Sequence, residues 1–172
     1  MQTQTKYVIG VDFGSDSVRC LIVGTADGAE IASAVAAYPR WKKRLYCDPS
    51  LNRYRQHPLD YIESLEQCVR EALEKCGKEV ADNICGISFD TTASTPALTD
   101  ERGVPLALLP EYAENPDAMF VLWKDHTALA EADEINDLAK CWEVDYTRYS
   151  GGAYSCEWVW AKMLHCLRSD PA

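Results

Sequence analysis

The chain has 172 residues, enough for one domain with a real core, and its 47% hydrophobic and 26% charged content is that of an ordinary globular protein. A formal net charge of −10 argues against nucleic acid or an anionic membrane as the main partner. No run approaches the roughly 18 apolar residues of a membrane span, and MQTQTKYVIGVDFG lacks the apolar core and cleavage site of a secretion signal. A cytoplasmic location is expected.

Eight cysteines stand at positions 20, 47, 68, 76, 85, 141, 156 and 166. None forms a CxxC pair and only three histidines accompany them, so zinc-site spacing is absent. They are expected as buried free thiols in a reducing compartment.

Residues 7–13 form a β-branched apolar run that reads as a buried strand. The polar break Gly14-Ser15-Asp16-Ser17 leads into a second strand at 18–23, and Asp27-Gly28 turns the chain into a third at 29–37. The opening is thus a three-strand meander. Residues 41–55, with Trp41, Lys42, Lys43 and Arg44, read as a solvated surface excursion.

His57-Pro58 then opens a helix whose inward stripe is Ile62, Leu65, Val69, Ala72, Leu73 and Cys76, with Gly77 as its stop. A strand is expected at 84–89, a polar loop at 90–96, and a hairpin over 97–109 turning at Glu101-Arg102-Gly103. Residues 119–123 make another short apolar run. A helix follows over about 125–140 with Leu129, Ala132, Ile135 and Leu138 inward. After Gly151-Gly152 a last helix runs through Trp158, Ala161, Leu164 and Leu167, and Trp158 and Trp160 are expected in the core. This order suits a mixed α/β sheet with helices on its faces. Gly10-Val11-Asp12-Phe13 also has a short echo in Gly86-Ile87-Ser88-Phe89.

The first turn carries the chemistry. Gly14, Ser15 and Ser17 sit between two strands directly after Asp12, where backbone N–H groups and hydroxyls can converge on a phosphate. A carboxylate at a strand end can hold hydrated Mg²⁺. It is not a Walker loop, because no GK[ST] and no helix follow. The residues alone fit an ordinary Asp- and Ser-rich hairpin turn as well.

Gly10-Val11-Asp12-Phe13-Gly14-Ser15-Asp16-Ser17-Val18-Arg19 resembles the first phosphate motif of the actin-like ATPase superfamily, in the form typical of FGGY carbohydrate kinases. Three further segments resemble the ribulokinase branch of that family: Gly86 to Pro96 with its Asp-Thr-Thr-Ala-Ser-Thr core, Leu122-Trp123-Lys124-Asp125-His126-Thr127-Ala128, and Ser150-Gly151-Gly152-Ala153-Tyr154-Ser155-Cys156-Glu157-Trp158 on to Lys162. The four matches occur in family order and cover nearly the whole chain.

The resemblance implies an RNase H-like, actin-like ATPase half-fold over residues 1–172, with a C-terminal nucleotide-binding domain absent. It implies ATP and Mg²⁺ as cofactors and the ketopentose L-ribulose as substrate. Asp12, Gly14, Ser15, Ser17 and Arg19 would face the ATP phosphates, and Asp12 would hold Mg²⁺ through water. Ala93, Trp123, Lys124, Asp125 and Glu157 would face the sugar, while the catalytic Asp would lie beyond the chain end. Read as residues alone, Trp123 offers an aromatic face and Asp125 a hydroxyl acceptor. Strand alternation would point those two together and Lys124 away. Asp125 also fits a helix N-cap, Glu157 a favourable helix-start carboxylate, Trp123 a core aromatic, and Arg19 a surface strand position. A non-catalytic sugar- or partner-binding module on the same half-fold remains the alternative. The surface that a missing domain would cover implies self-association or a homo-oligomer.

Overall fold

A computed structural model describes residues 5–169; residues 1–4 and 170–172 lie outside the described part. The chain divides into two compact units. One comprises Met1–Lys43 with Leu59–Thr92, the other Arg44–Pro58 with Ala93–Ala172.

The first unit is built on the expected meander: β1 (Tyr7–Phe13), β2 (Ser17–Gly24) and β3 (Glu30–Ala37), with antiparallel pairing throughout. A one-turn helix α1 (Pro39–Lys42) follows β3 and was not anticipated. The long helix α2 (Pro58–Cys76) begins at Pro58 and ends before Gly77, whose φ of +80° is a conformation that side-chain-bearing residues avoid. A short α3 (Lys78–Ala81) leads into β6 (Ile84–Thr91), which pairs in parallel with β1. The sheet order is β3-β2-β1-β6, a mixed sheet. The two echoed segments are therefore neighbouring strands.

Residues of alternating sign along these strands sort onto two faces. Ile9, Val11, Val18, Cys20, Ile22, Ala34 and Ala36 are buried together with Cys68 and Ala72 of α2. Leu65, Val69, Leu73 and Cys76 pack against them as expected, but Ile62 does not: it is 49% exposed, and Tyr61 packs inward in its place.

The second unit corrects the reading of residues 41–55 as a plain surface excursion. Lys42, Lys43 and Arg44 are exposed, yet β4 (Cys47–Asp48) pairs with β5 (Arg53–Gln56), and β5 pairs with β7 (Phe120–Val121). Arg55 and Gln56 are both 1% exposed. The hairpin over 97–109 keeps its turn, where the Asp100 carboxylate accepts from the N–H groups of Arg102 and Val104. Its ladder is a single bridge, Thr99 to Pro105. Leu106–Leu108 turns instead into a 3₁₀ segment.

α4 (Leu129–Ala139) and α5 (Val159–Ser169) pack together. α4 starts later than expected; Ala132 is buried and Ile135 packs against the same cluster as expected, but Leu129 and Leu138 are 52% and 54% exposed, with their neighbours Ala128 and Ala139 buried in their place. In α5 the buried residues are Ala161, Lys162 and Cys166, whereas Leu167 and Trp160 stand out in solvent. Trp160 is therefore not a core residue. Trp158 is half-buried, edge-on to Tyr154. All eight cysteines are free, four of them buried (Cys20, Cys68, Cys156, Cys166), while Cys85 and Cys141 are exposed. No described helix is long and apolar enough to cross a membrane.

Candidate functional site

In the first unit, the turn after Asp12 is closed by Gly14 N–H donating to Ser17 O at 2.9 Å. A Cβ at Gly14 would meet that same carbonyl at 3.2 Å, a tight approach, so the turn favours glycine. Tyr38, at the end of β3, pins the turn twice. Its N–H donates to Asp16 O at 3.0 Å, and its hydroxyl donates to Gly14 O at 3.1 Å. Burial first, then Tyr61 and the carboxylates of Asp12, Asp16 and Asp60, push the Tyr38 phenol far above its ordinary pKa, so it remains a donor. Ser17 is buried and its hydroxyl donates to Asp16 Oδ1 at 3.0 Å; Ser15 is half-buried at the turn's tip.

Strand register places Asp12 opposite Arg19 on β2 and opposite Asp90 on β6. All three are exposed on the sheet face away from α2. They line a groove of about 490 Å³ with Gly10, Leu21 and Ser88. Among the described residues no group of three or more His, Cys, Asp or Glu gathers as metal ligands. Two carboxylates at neighbouring strand ends do fit Mg²⁺, which keeps most of its water and takes one or two protein carboxylates plus phosphate oxygens. Asp90 was not singled out in the sequence: the echo aligns Asp12 with Ser88, and only the strand register brings Asp12 opposite Asp90.

The second unit gathers the end of the Gly86–Pro96 segment, from Ala93 on, with the other two segments. The loop carrying Ala93 lies against the Trp123 segment: Val121 N–H donates to Pro96 O at 2.9 Å, and Trp123 N–H donates to Thr95 Oγ1 at 3.2 Å. Ala93 is exposed, and its carbonyl accepts from Thr95 Oγ1. Glu157 reaches the Trp123 segment through His126, with Oε1 and Nε2 2.8 Å apart. The third segment also sends the Lys162 ammonium to Ser94 O at 2.6 Å, Leu122 O at 2.9 Å and Val121 O at 3.4 Å. Lys162 is 1% exposed, and burial drives its pKa down to about 8 against the pull of Asp125 and Glu157.

Strand alternation does not extend through residues 123–125. The chain turns at Leu122, whose carbonyl accepts from Asp125 N–H at 2.8 Å. Trp123 is consequently 38% exposed while Asp125 is fully buried, so the two do not share an exposed face. Asp125 Oδ2 accepts from Tyr54 N–H at 2.7 Å. Its Oδ1 accepts from Thr127 N–H at 3.1 Å and Thr127 Oγ1 at 2.6 Å. Arg55 Nε lies 3.5 Å from Oδ2, and the same guanidinium pairs with Asp117 at 3.2 Å. Asp125 is not the N-cap of α4; Ala128 holds that place, without a side-chain cap. Lys124 extends over the Tyr54 ring, its ammonium 4.5 Å from the centroid. Glu157 stands two residues before α5, outside its first turn, which holds no acidic residue.

Tyr38, Arg55, His126 and Lys162 are thus the supporting residues that sequence reasoning passed over. Lys162 had a legible signal: it follows Trp158 by four residues and precedes Cys166 by four, on one helical face.

No family model matches the chain. It is 53% identical over 171 residues to a ribulokinase of Vibrio parahaemolyticus, covering 99% of this chain and 30% of that protein. A ribulokinase of Halalkalibacterium halodurans is 39% identical over 173 residues, and one of Mycolicibacterium smegmatis 40% over 176, each again covered to 30% of its length. Among solved structures, a gluconate kinase of Lactobacillus acidophilus superposes with a TM-score of 0.70 at 15% identity, covering 97% of this chain and 29% of that one. A xylulose kinase of Bifidobacterium adolescentis gives 0.66 at 15%, covering 98% and 30%. These neighbours establish the actin-like ATPase fold expected from the sequence. The chain spans about 30% of the length of the curated relatives it matches, and over nearly all of its own length it is similar to ribulokinases.

Proposed function

We propose that the chain is the N-terminal part of a cytoplasmic ribulokinase, which transfers the γ-phosphoryl group of ATP to L-ribulose in arabinose catabolism. The observation that carries this reading is 53% identity to a ribulokinase over 99% of the chain. The two units together form the first domain, and a nucleotide-binding domain completes the enzyme.

In this reading the Gly14 turn, with Ser15 and Ser17, offers backbone and hydroxyl donors to the phosphates, and Arg19 offsets their charge on the same sheet face. Asp12 would hold Mg²⁺ through its water shell, and the ion would neutralise charge on the phosphates. Trp123 offers an aromatic face to the sugar's C–H surface, and the exposed Ala93 lets backbone approach the sugar closely. Glu157, with His126 to orient it, can accept from a hydroxyl, while the buried Asp125 braces the backbone at Tyr54 and at Thr127 of its own segment. Lys124 is held over Tyr54, beside the same segment.

Phosphoryl transfer to a hydroxyl needs a proton acceptor within hydrogen-bond reach. The family's catalytic Asp has no counterpart among the motifs of this chain, so residues 1–172 alone should be inactive. Incubating the purified chain with Mg-ATP and L-ribulose should yield no ADP above background, while the full-length kinase turns over at about 1–10³ s⁻¹. Turnover by the isolated chain in that range would refute the fragment reading, and phosphorylation of a different sugar by the full-length enzyme would refute the substrate.

A further inference from the structure

We propose that Lys162 is a positioning residue for the sugar site, its buried ammonium fixing the Ala93 loop and the Trp123 segment at one separation. The proposal rests on the reading of those segments as sugar-binding.

An ammonium has three N–H donors and no acceptor. Lys162 spends them on three carbonyls from the two segments: Ser94 on one side, Val121 and Leu122 on the other. Ser94 adopts a φ of +54°, an uncommon conformation for a residue with a side chain, and its carbonyl receives the shortest of the three bonds. The loop beside Ala93 is therefore held in a conformation that it does not prefer by itself. Trp123 follows directly on the other two acceptors. The Val121 to Pro96 and Trp123 to Thr95 bonds lie at the same seam. A buried lysine is costly to keep charged, and an apolar side chain of equal length would have filled this place more cheaply. The ammonium is retained where it converts two loops into one rigid surface.

The arrangement has a pH limit. Lys162 faces Asp125, Glu157 and Arg55, with the Cys156 thiol also near and Cys166 one turn further along α5. Its pKa stands at about 8. Above that the amine keeps two N–H groups, one fewer than the carbonyls that it serves.

The test uses the full-length kinase, with KM measured separately for L-ribulose and for ATP. Lys162→Met should raise the sugar KM about tenfold or more, as expected for loss of a buried hydrogen-bonding anchor, with the ATP KM unchanged. In the unmodified enzyme the sugar KM should climb between pH 8 and 9.5, and in the variant this climb should vanish. A sugar KM that is unmoved by Lys162→Met, or flat with pH in the unmodified enzyme, overturns the proposal. Should the variant fail to fold, the pH profile of the unmodified enzyme decides alone. Trp123→Ala separates the two readings: an unchanged sugar KM there overturns the sugar site itself, whereas a raised one beside an inert Lys162→Met overturns only the positioning role.

Discussion

Replacing Asp125 by alanine tests how much of the second unit hangs on one carboxylate. The side chain is fully buried and accepts three hydrogen bonds, from Tyr54 N–H, Thr127 N–H and Thr127 Oγ1. Its removal also strips the buried Arg55 guanidinium of one of its two carboxylate neighbours, leaving only Asp117. Breaking a buried pair by deleting one partner costs about 3–5 kcal/mol, because the remaining charge stays desolvated. For a chain of this length that lowers the melting temperature by roughly 6–20 °C. Urea unfolding followed by tryptophan fluorescence reports on it directly, since four of the five tryptophans (Trp123, Trp142, Trp158, Trp160) belong to this unit. A loss below about 1 kcal/mol would show that the carboxylate is not the anchor that its contacts describe. If Asp125 also binds sugar, the sugar KM of the folded full-length variant rises about tenfold with little change for ATP.

Two further outcomes follow from the first unit. Tyr38→Phe should keep the ring packing against Tyr61, whose centroid is 5.0 Å away, and lose only the bond to Gly14 O. That is about 0.5–1.5 kcal/mol in urea unfolding; a loss above roughly 3 kcal/mol, the range of a cavity, would mean the ring itself had moved. On β6, Ile87 and Phe89 are 49% and 56% exposed beside one another's strand face. The isolated chain should therefore self-associate in sedimentation runs at high concentration, and Phe89→Thr should weaken that association; a clean monomer at all concentrations refutes it.

The first unit was largely legible because its signals are local. Strand alternation, the Asp27-Gly28 turn, and the Pro58 start and Gly77 stop of α2 each act within a few residues. The second unit was not. Nothing near Arg55 announces burial, since the carboxylates that neutralise it come from positions 117 and 125. In α4 the middle of the stripe, Ala132 and Ile135, held, while at its two ends the small Ala128 and Ala139 fit close packing where Leu129 and Leu138 do not. The phosphate turn was readable from its motif, while Tyr38 was not, since its role depends on a strand end being folded back over Gly14. The sugar segments were found by resemblance. That they meet through Lys162 and His126 could come only from their arrangement in space.

The second unit is interrupted in the chain, and this sets an order of assembly. Arg44–Pro58 is synthesised before β6, yet β5 has only the two-residue β4 beside it until β7 emerges, and Tyr54 waits 71 residues for Asp125. A later long-range closure, Ser94 to Lys162, spans 68 residues. Such distant contacts form late, since loop closure must precede any reward. In the interval the charge of Arg55 acts as a safeguard: burying it without Asp117 and Asp125 is unfavourable, so the nascent segment stays solvated instead of collapsing onto the finished meander. A residue that is costly in the folded unit thereby protects the growing chain from closing too early.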